Sequence, residues 1–239
     1  MDAKEGRHAT PALQEPGGGP AWQVVDLSQL ITTTMPVYPG TEPPGIEDAC
    51  TIEGDGFAEK RLRFYSHTGT HVDAPGHILA GASRLDDFPA GRFFGAGCVL
   101  DVSHCPSGRI EVAELAPHER RVAACGFVLL YTGWARYWGE PRYFEDYPVL
   151  TEAAARWLAG FPLKGLGLDA ISVDVTNSTT LPVHRILLAR NLLVIENLTG
   201  LERLLGREFL FSCLPLKLEA GDGSPVRAVA LVGGAQDQR

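Results

Sequence analysis

The residues best suited to chemistry lie in one short segment, H-T-G-T-H-V-D-A-P-G-H, which runs from His67 to His77 and holds three of the chain's seven histidines. Imidazole and carboxylate donors at close range form a metal site of the borderline nitrogen and oxygen type, which suits Zn²⁺ and also Mn²⁺, Fe²⁺ or Co²⁺. The five cysteines include no pair at C-x-x-C spacing, which disfavours a closed structural zinc site. We therefore predict an open metal site, with satisfied core histidines as the alternative.

The backbone of this segment decides which side chains can meet. On a strand, His67, His71 and Asp73 would line one face, because side chains alternate with period two. On a helix, His67 and His71 would also meet, since they are four residues apart. The β-branched residues of the segment and the proline that follows them favour extended backbone. We predict one strand over residues 61–75, followed by a turn that returns His77 towards the other donors.

Two further candidates, His184 and Glu196, lie far along the chain. Glu196 ends the apolar run L-L-V-I-E, and His184 falls in a short predicted helix that has Pro182 in its first turn. A carboxylate at the end of a buried strand needs a compensating partner, because an unpaired buried charge is very costly. A metal ion is one such partner and a salt bridge with Arg185 or Arg190 is the other. The residues alone leave both open.

The rest of the sequence predicts the elements that must position these residues. Short apolar runs bounded by glycine or turn residues indicate buried strands. Residues 151–160 and 181–190 predict helices, and residues 204–234 predict two strands joined by a Gly-Asp-Gly-Ser-Pro turn. Strands outnumber helices, so the expected fold class is α/β, a single domain with a mixed β-sheet or barrel and a few flanking helices.

The composition disfavours several function classes. The net charge of −8 and the pI of about 5.4 offer no basic surface for nucleic acid or for anionic membranes, and no stretch approaches the roughly 18 apolar residues of a membrane span. Residues 1–20 are rich in Gly and Pro, which predicts a flexible N-terminal tail with no signal peptide, followed by the folded domain over residues 21–239. Because the cysteines form no recognisable framework, we expect reduced thiols and a cytoplasmic protein.

The segment from His67 to His77 resembles, in every fixed position, the H-x-G-T-H-x-D-x-P-x-H motif of the metal-dependent cyclase-like hydrolases. That superfamily includes bacterial kynurenine formamidases and isatin hydrolases. Further segments between residues 24 and 200 are similar to those of the superfamily, namely V-D-L-S-Q-L-I-T-T-T-M-P-V-Y-P-G, Y-T-G-W-A-R-Y-W-G, G-L-D-A-I-S-V-D and H-R-I-L-L-A-R-N-L-L-V-I-E-N-L. The chain has no G-x-S-x-G pentapeptide, so a serine-dependent formamidase is disfavoured.

The resemblance implies a cyclase-like fold with two metal ions in one site, Zn²⁺ being expected and Mn²⁺ being the alternative. His67, His71 and Asp73 would bind one ion. Asp73 would bridge to a second ion, held by His184 and Glu196. Divalent ions lower the pKa of bound water from 15.7 to about 7, so that a metal-bound hydroxide could attack an amide. The resemblance also implies a homo-oligomer, either a dimer or a tetramer.

The resemblance further implies an arylformamidase, which hydrolyses N-formylkynurenine to kynurenine and formate with His77 as general acid and base. Tyr38 is the predicted substrate-binding residue, although kynurenine formamidases often carry Trp at this position. Phe64, Trp134 and Tyr137 are further aromatic candidates for a wall against a planar substrate, and core packing is the alternative for each.

Two other functions stay open. One is a related hydrolase or cyclase acting on isatin, on another cyclic amide or on a lactone. Isatin-hydrolase-like proteins tend to carry Gln at the position of Glu196, so Glu196 favours the formamidase. The other is a metal-binding module without turnover, which His77 disfavours because a module that only holds metal needs no acid or base there.

Overall fold

The computed structural model describes residues 22–105 and 108–233, so the predicted tail over residues 1–20 lies outside the described residues. The strands in this part of the chain are β1 Trp22–Asp26, β2 Gly45–Cys50, β3 Glu59–Arg63, β4 His71–Asp73, β5 Phe94–Asp101, β6 Arg109–Ile110, β7 Phe127–Tyr131, β8 Val149–Leu150, β9 Gly165–Leu168, β10 Leu193–Glu196, β11 Phe209–Ser212, β12 Gly223–Pro225 and β13 Val229–Gly233. The α-helices are α1 Ile52–Asp55, α2 Val112–Leu115, α3 Glu119–Ala123, α4 Glu152–Leu158 and α5 Pro182–Leu188. None of these helices has the length and apolar character needed to cross a bilayer.

One mixed sheet of nine strands organises the fold, in the order β1-β13-β11-β5-β7-β9-β10-β4-β12. Its centre, β5-β7-β9-β10, is parallel, and the strands on both sides of the centre pair antiparallel. The pairs β2-β3 and β6-β8 form two small separate sheets. The predicted α/β class, with a mixed sheet and a few flanking helices, is confirmed.

The central strands are mostly apolar because both faces of the sheet are covered. Along β7, Val128 and Leu130 belong to a core that includes buried residues of α4 and α5, whereas Phe127 and Leu129 belong to a second core on the other face. Strands of a parallel sheet read as continuous apolar runs for this reason. The predictions of buried strands in these runs are confirmed.

The two longest helices begin where the sequence predicts them. Thr151 caps α4, since its side chain accepts a hydrogen bond from the backbone N–H of Ala154. Pro182 occupies the first turn of α5, where its missing N–H costs no helical hydrogen bond. Helix α5 packs beside β10, and this contact brings His184 towards Glu196.

Two local predictions are wrong. The single strand over residues 61–75 is broken, because residues 64–70 form turns and loop between β3 and β4. The Gly-Asp-Gly-Ser-Pro segment is not only a turn, since residues 223–225 form β12, which pairs with β4. Gly69 explains the first error, because its φ of +63° is left-handed and no strand continues through that conformation.

Candidate metal centre

The pairing of β4 with β10 builds half of the site. In their antiparallel register, Glu196 lies directly opposite His71, so the two side chains leave the same face. Asp73 lies two residues beyond His71 on that face. His184 comes from α5, and all four of these side chains are buried. The five residues predicted as metal ligands include these four, and the structure brings them together from distant parts of the chain.

His67, the fifth predicted ligand, reaches the cluster from a loop rather than from the strand. The left-handed turn at Gly69 folds the loop back, and a side chain at that position would crowd Ile31, whose Cγ1 would lie 3.2 Å from the added Cβ. The His67 Nδ1 then lies 2.7 Å from Asp73 Oδ1. His67 and His71 therefore meet, although they do not share one strand as predicted.

Donor atoms in the cluster are spaced as neighbouring ligands of one ion would be. His71 Nε2 lies 3.4 Å from an oxygen of Asp73 and 3.4 Å from an oxygen of Glu196. His184 Nε2 lies 3.6 Å from Asp73 Oδ2 and 3.3 Å from Glu196 Oε1. Tetrahedral ligands with bonds of about 2.0–2.1 Å are separated by about 3.3 Å. The groups His67-His71-Asp73 and Asp73-His184-Glu196 each have donors within 4.8 Å of one another, and Asp73 belongs to both.

The other ring nitrogens of His71 and His184 are already engaged. His71 Nδ1 lies 2.8 Å from the carbonyl oxygen of Gly69, and His184 Nδ1 lies 2.8 Å from Asp174 Oδ2. Because each Nδ1 faces an acceptor, it is the nitrogen that keeps a proton when the ring is neutral, which leaves Nε2 as the nitrogen that could bind a cation. Asp174 also accepts from the backbone N–H groups of Val183 and His184, which fixes the carboxylate at the start of α5.

Asn197 holds the histidine loop against β10. Its side-chain amide donates to the carbonyl of Gly69 at 2.9 Å, and its own carbonyl accepts from the Thr70 hydroxyl at 2.7 Å. The Tyr143 hydroxyl donates to Asn197 Oδ1 at 2.8 Å, so the amide orientation is fixed from behind. These buried bonds tie the loop before β4 to the end of β10.

His77 and Asp222 form the outer side of the cluster. His77 ends a short 3₁₀ turn over Pro75–His77, and its ring lies 3.9 Å from that of His67, centroid to centroid. One oxygen of Asp222 lies 3.1 Å from His67 Nε2 and 3.6 Å from His77 Nδ1. The expected return of His77 towards the donors is observed.

Burial and charge compete at each of these groups. Burial alone lowers the pKa of His67, but the Asp73 and Asp222 carboxylates outweigh it and raise that pKa to about 9. Burial alone raises the pKa of Asp73 and of Glu196, but the neighbouring imidazoles lower both. Burial lowers the pKa of His77 below its ordinary value. The cluster thus keeps two carboxylates charged in the interior by means of nearby positive charge.

The donor set fits divalent cations. Glu196 has His71 and His184 as its ion-pair partners among the described residues, rather than Arg185 or Arg190, which were the alternative partners. Borderline ions such as Zn²⁺ prefer a mixture of imidazole and carboxylate donors. Such ions would replace the imidazolium protons as the positive charge that buried Asp73 and Glu196 need.

A cavity of about 480 Å³ lies over the cluster and gives a substrate access to it. His67, His71, His77, His184 and Glu196 all line it. Tyr38 also lines the cavity, with its hydroxyl donating to the carbonyl of Thr176 at 2.6 Å.

Three other aromatic candidates are not among the residues that line this cavity. The rings of Trp134 and Tyr137 contact each other and pack against the core, so core packing accounts for them. Phe64 does not line the cavity either, whereas Tyr65, the residue after it, does. A run of aromatic residues in a loop does not reveal which ring faces inward.

Asp174 and Asp222 contact the site without having been assigned a role from the sequence. Asp174 follows the G-L-D-A-I-S segment, so its place beside a site loop is recognisable, but its partner His184 lies on the next helix. Asp222 lies in the Gly-Asp-Gly-Ser-Pro segment, and no spacing in the sequence connects it with His67. Asp222 can be related to the site only through the pairing of β12 with β4, which the sequence does not reveal.

Comparison with known proteins places the chain in a family. The profile of a family described as a putative cyclase matches residues 25–175, which include the histidine segment. The chain belongs to the cyclase family. The kynurenine formamidase of Bacillus cytotoxicus, a relative of this cyclase-family protein, is 30% identical over 207 residues, which cover 86% of this chain and 95% of that protein.

Solved structures of similar fold agree with this membership. Isatin hydrolase A from Ralstonia solanacearum superposes with a TM-score of 0.78 at 27% identity, over 88% of this chain and 92% of that chain. A structure described as a potential metal-dependent hydrolase with cyclase activity superposes with a TM-score of 0.74 at 26% identity, over 90% and 100% of the two chains. These similarities support a cyclase-like hydrolase that acts on a C–N bond.

Proposed function

We propose that this cyclase-family protein is a metal-dependent amidohydrolase of the arylformamidase type, which converts N-formylkynurenine to kynurenine and formate. One observation carries the proposal: imidazoles and carboxylates from β4, β10 and α5 converge at one side of a cavity, with His77 beside them. The similarity to the kynurenine formamidase of Bacillus cytotoxicus supports the choice of substrate.

His67, His71 and Asp73 would hold one ion, and Asp73, His184 and Glu196 would hold a second. We propose Zn²⁺ for both positions, with Mn²⁺ as the alternative. Bound divalent ions lower the pKa of water and polarise a carbonyl group. The contribution of the chain is to fix these donors and, through Gly69 and Asp174, to leave Nε2 of His71 and of His184 as the ligating nitrogen.

His77 is the proposed general acid and base. Its lowered pKa leaves the ring neutral at neutral pH, so it can accept a proton from the attacking water and return it to the departing aryl amine. Because Nδ1 faces Asp222, Nε2 is the nitrogen left for this exchange. Tyr38 would contact the planar part of the substrate from the cavity wall.

A metal-depletion experiment tests the proposal. The full chain is stripped with a chelator, reconstituted with Zn²⁺ or Mn²⁺, and assayed for formate release from N-formylkynurenine. We expect the stripped protein to be inactive and either metal to restore turnover. Full activity of the metal-free protein would contradict the proposal.

A second candidate substrate is isatin or another cyclic amide or lactone, which the similarity to isatin hydrolase A supports. A parallel assay of ring opening of isatin with the same reconstituted protein separates the two. A higher kcat/KM for isatin would replace the formamidase assignment and keep the hydrolase. Turnover of neither compound nor of a lactone panel would favour the metal-binding module.

A further inference from the structure

Two cysteine sulfurs lie unusually close together, away from the candidate metal centre. Cys98 Sγ in the middle of β5 lies 3.1 Å from Cys125 Sγ in the loop between α3 and β7. Both thiols are free in this structure. A disulfide bond is about 2.05 Å long, so the sulfurs need to approach by only about 1 Å to be joined.

A second cleft of about 880 Å³ gives these thiols access to solvent. Cys98, Cys125, Arg121 and Arg207 all line it, together with the aromatic rings of Trp22 and Phe209. Glu208 is also part of the lining, so two guanidinium groups face one carboxylate. The cleft thus combines a sulfur pair, an excess of positive charge and apolar surface, which suits a small anionic molecule.

Exposure divides the two thiols into an attacking and a resolving partner, because Cys125 is half-buried whereas Cys98 is buried. The hydrogen bond between the two thiols lowers the pKa of Cys125, and the positive charge of Arg121 acts to lower the pKa of both thiols. The same hydrogen bond, together with burial, raises the pKa of Cys98. Arg121 is held in place, since its Nη2 donates to the carbonyl of Val99 at 3.2 Å. A half-buried thiol with a lowered pKa and a cationic neighbour is the kind of cysteine that reacts with disulfides.

We propose that Cys98 and Cys125 form a redox-active dithiol, which an anionic low-molecular-weight disulfide oxidises to an intramolecular disulfide. The Cys125 thiolate attacks one sulfur of the reagent and displaces half of it as a thiolate. Cys98 then loses its proton and attacks Cys125 Sγ, which forms the protein disulfide and displaces the other half. The protein loses two electrons, and the reagent disulfide becomes two thiols.

The dithiol lies at the other end of the sheet from the cavity over the metal cluster. Cys125 precedes the first residue of β7, whereas Glu196 is the last residue of the parallel strand β10. Oxidation therefore links the loop after α3 to β5 without touching a predicted metal ligand. The inference does not depend on the proposed hydrolase function.

Thiol counting and peptide mapping test the inference. The full chain, purified with its metal, is equilibrated with glutathione buffers of increasing disulfide content, quenched with acid and digested without reduction. We expect the wild type to fall from five titratable thiols to three, with a peptide that links Cys98 to Cys125. The Cys98→Ser variant should instead retain one glutathione on Cys125, because the resolving thiol is missing.

Two further cysteine variants serve as controls for the proposed disulfide. Cys105→Ser removes a cysteine outside the proposed pair, and this variant should still form the linked peptide. Cys125→Ser should form neither the link nor an adduct on Cys98. Five free thiols in the wild type throughout the series, a lasting adduct on Cys125 in the wild type, or a link that involves any other cysteine would overturn the proposal.

Discussion

His184 illustrates how a single buried side chain is prepared to bind a cation. Asp174 Oδ2 accepts from its Nδ1 at 2.8 Å, so the proton stays on that nitrogen and the ring cannot rotate freely. Hydrogen-bond partners of this kind raise the basicity of the ligating nitrogen and fix the orientation of its ring. In the proposed metal site, Asp174 would therefore influence the affinity for the ion without being a ligand itself.

Asp174→Asn should weaken metal binding about 10- to 100-fold, because the amide no longer supplies a charged acceptor for Nδ1–H. Competition with a chromophoric chelator measures this affinity, and circular dichroism checks that the variant is folded. Asp48→Asn is the matched control, since Asp48 forms an exposed ion pair with Lys60 on the β2-β3 hairpin. Equal affinities of the Asp174 variant and the wild type would show that the hydrogen bond has no such effect.

His77 differs from its neighbours because its predicted role is in proton transfer rather than ligation. His77→Ala should lower kcat by about 10²- to 10⁴-fold while leaving the metal content unchanged. His71→Ala should lose both metal and activity. A wild-type rate in the His77 variant would remove the acid and base assignment and leave the ligand set intact.

The pH profile gives an independent reading of His77. The pKa of His77 is lowered from its ordinary value of 6.5, so the neutral, basic form of the ring persists to lower pH. As the pH decreases, kcat/KM should therefore begin to decline only at a pH below 6.5. The His77 variant should lack this decline.

At the scale of elements, the sheet places the donors that sequence spacing could not relate. The apolar runs and capping residues predict β7, β10, α4 and α5, because these elements depend on local patterns. The opposition of His71 and Glu196 depends on the pairing of β4 with β10 across more than half the chain, which no local pattern specifies. The resemblance to the family, and not residue spacing, predicts that His71 and Glu196 belong to one site.

The turn before β4 shows a different limit of local patterns. β-branched and alternating residues predicted a strand, but Gly69 turns the chain and Asn197 holds the turn in place. A tertiary contact therefore outweighs strand propensity. The contact between Asp222 and His67 is likewise tertiary, because the pairing of β12 with β4 places Asp222 beside that ring.

Close packing between β5 and β11 can be tested directly. Gly97 lies opposite Phe209, and a Cβ there would come within 2.4 Å of the ring. Gly97→Ala should lower the free energy of unfolding by about 1–3 kcal/mol, because the buried ring must shift. Denaturant titration measures the change, with Gly91→Ala as control, since an added Cβ there meets nothing within 4 Å. Equal stability of the two variants would contradict this packing.

At the scale of the whole molecule, protons and metal ions compete for the cluster. In the metal-free protein, the pKa of His67 is raised to about 9 from an ordinary 6.5. The stability that this proton contributes is therefore complete below pH 6.5 and is lost as the pH rises through 9. A metal ion must displace the same proton, so its affinity should increase with pH over this range, by up to about tenfold per unit.

This competition predicts opposite trends with and without metal. Between pH 6 and 8, the rise in Tm on adding Zn²⁺ or Mn²⁺ should become larger, because binding to the folded state stabilises it by an amount that grows with the logarithm of the affinity. Thermal unfolding at fixed metal concentration measures the trend. A Tm shift that stays constant or shrinks with rising pH would show that protonated His67 does not oppose binding.

The central claim is that two groups of donors, sharing Asp73, hold two divalent ions. The most direct measurement is anomalous diffraction at the zinc or manganese edge from crystals of the reconstituted protein. We predict two peaks, one in contact with His67, His71 and Asp73, and one in contact with Asp73, His184 and Glu196. A metal-loaded crystal in which either group lacks an anomalous peak would contradict the account.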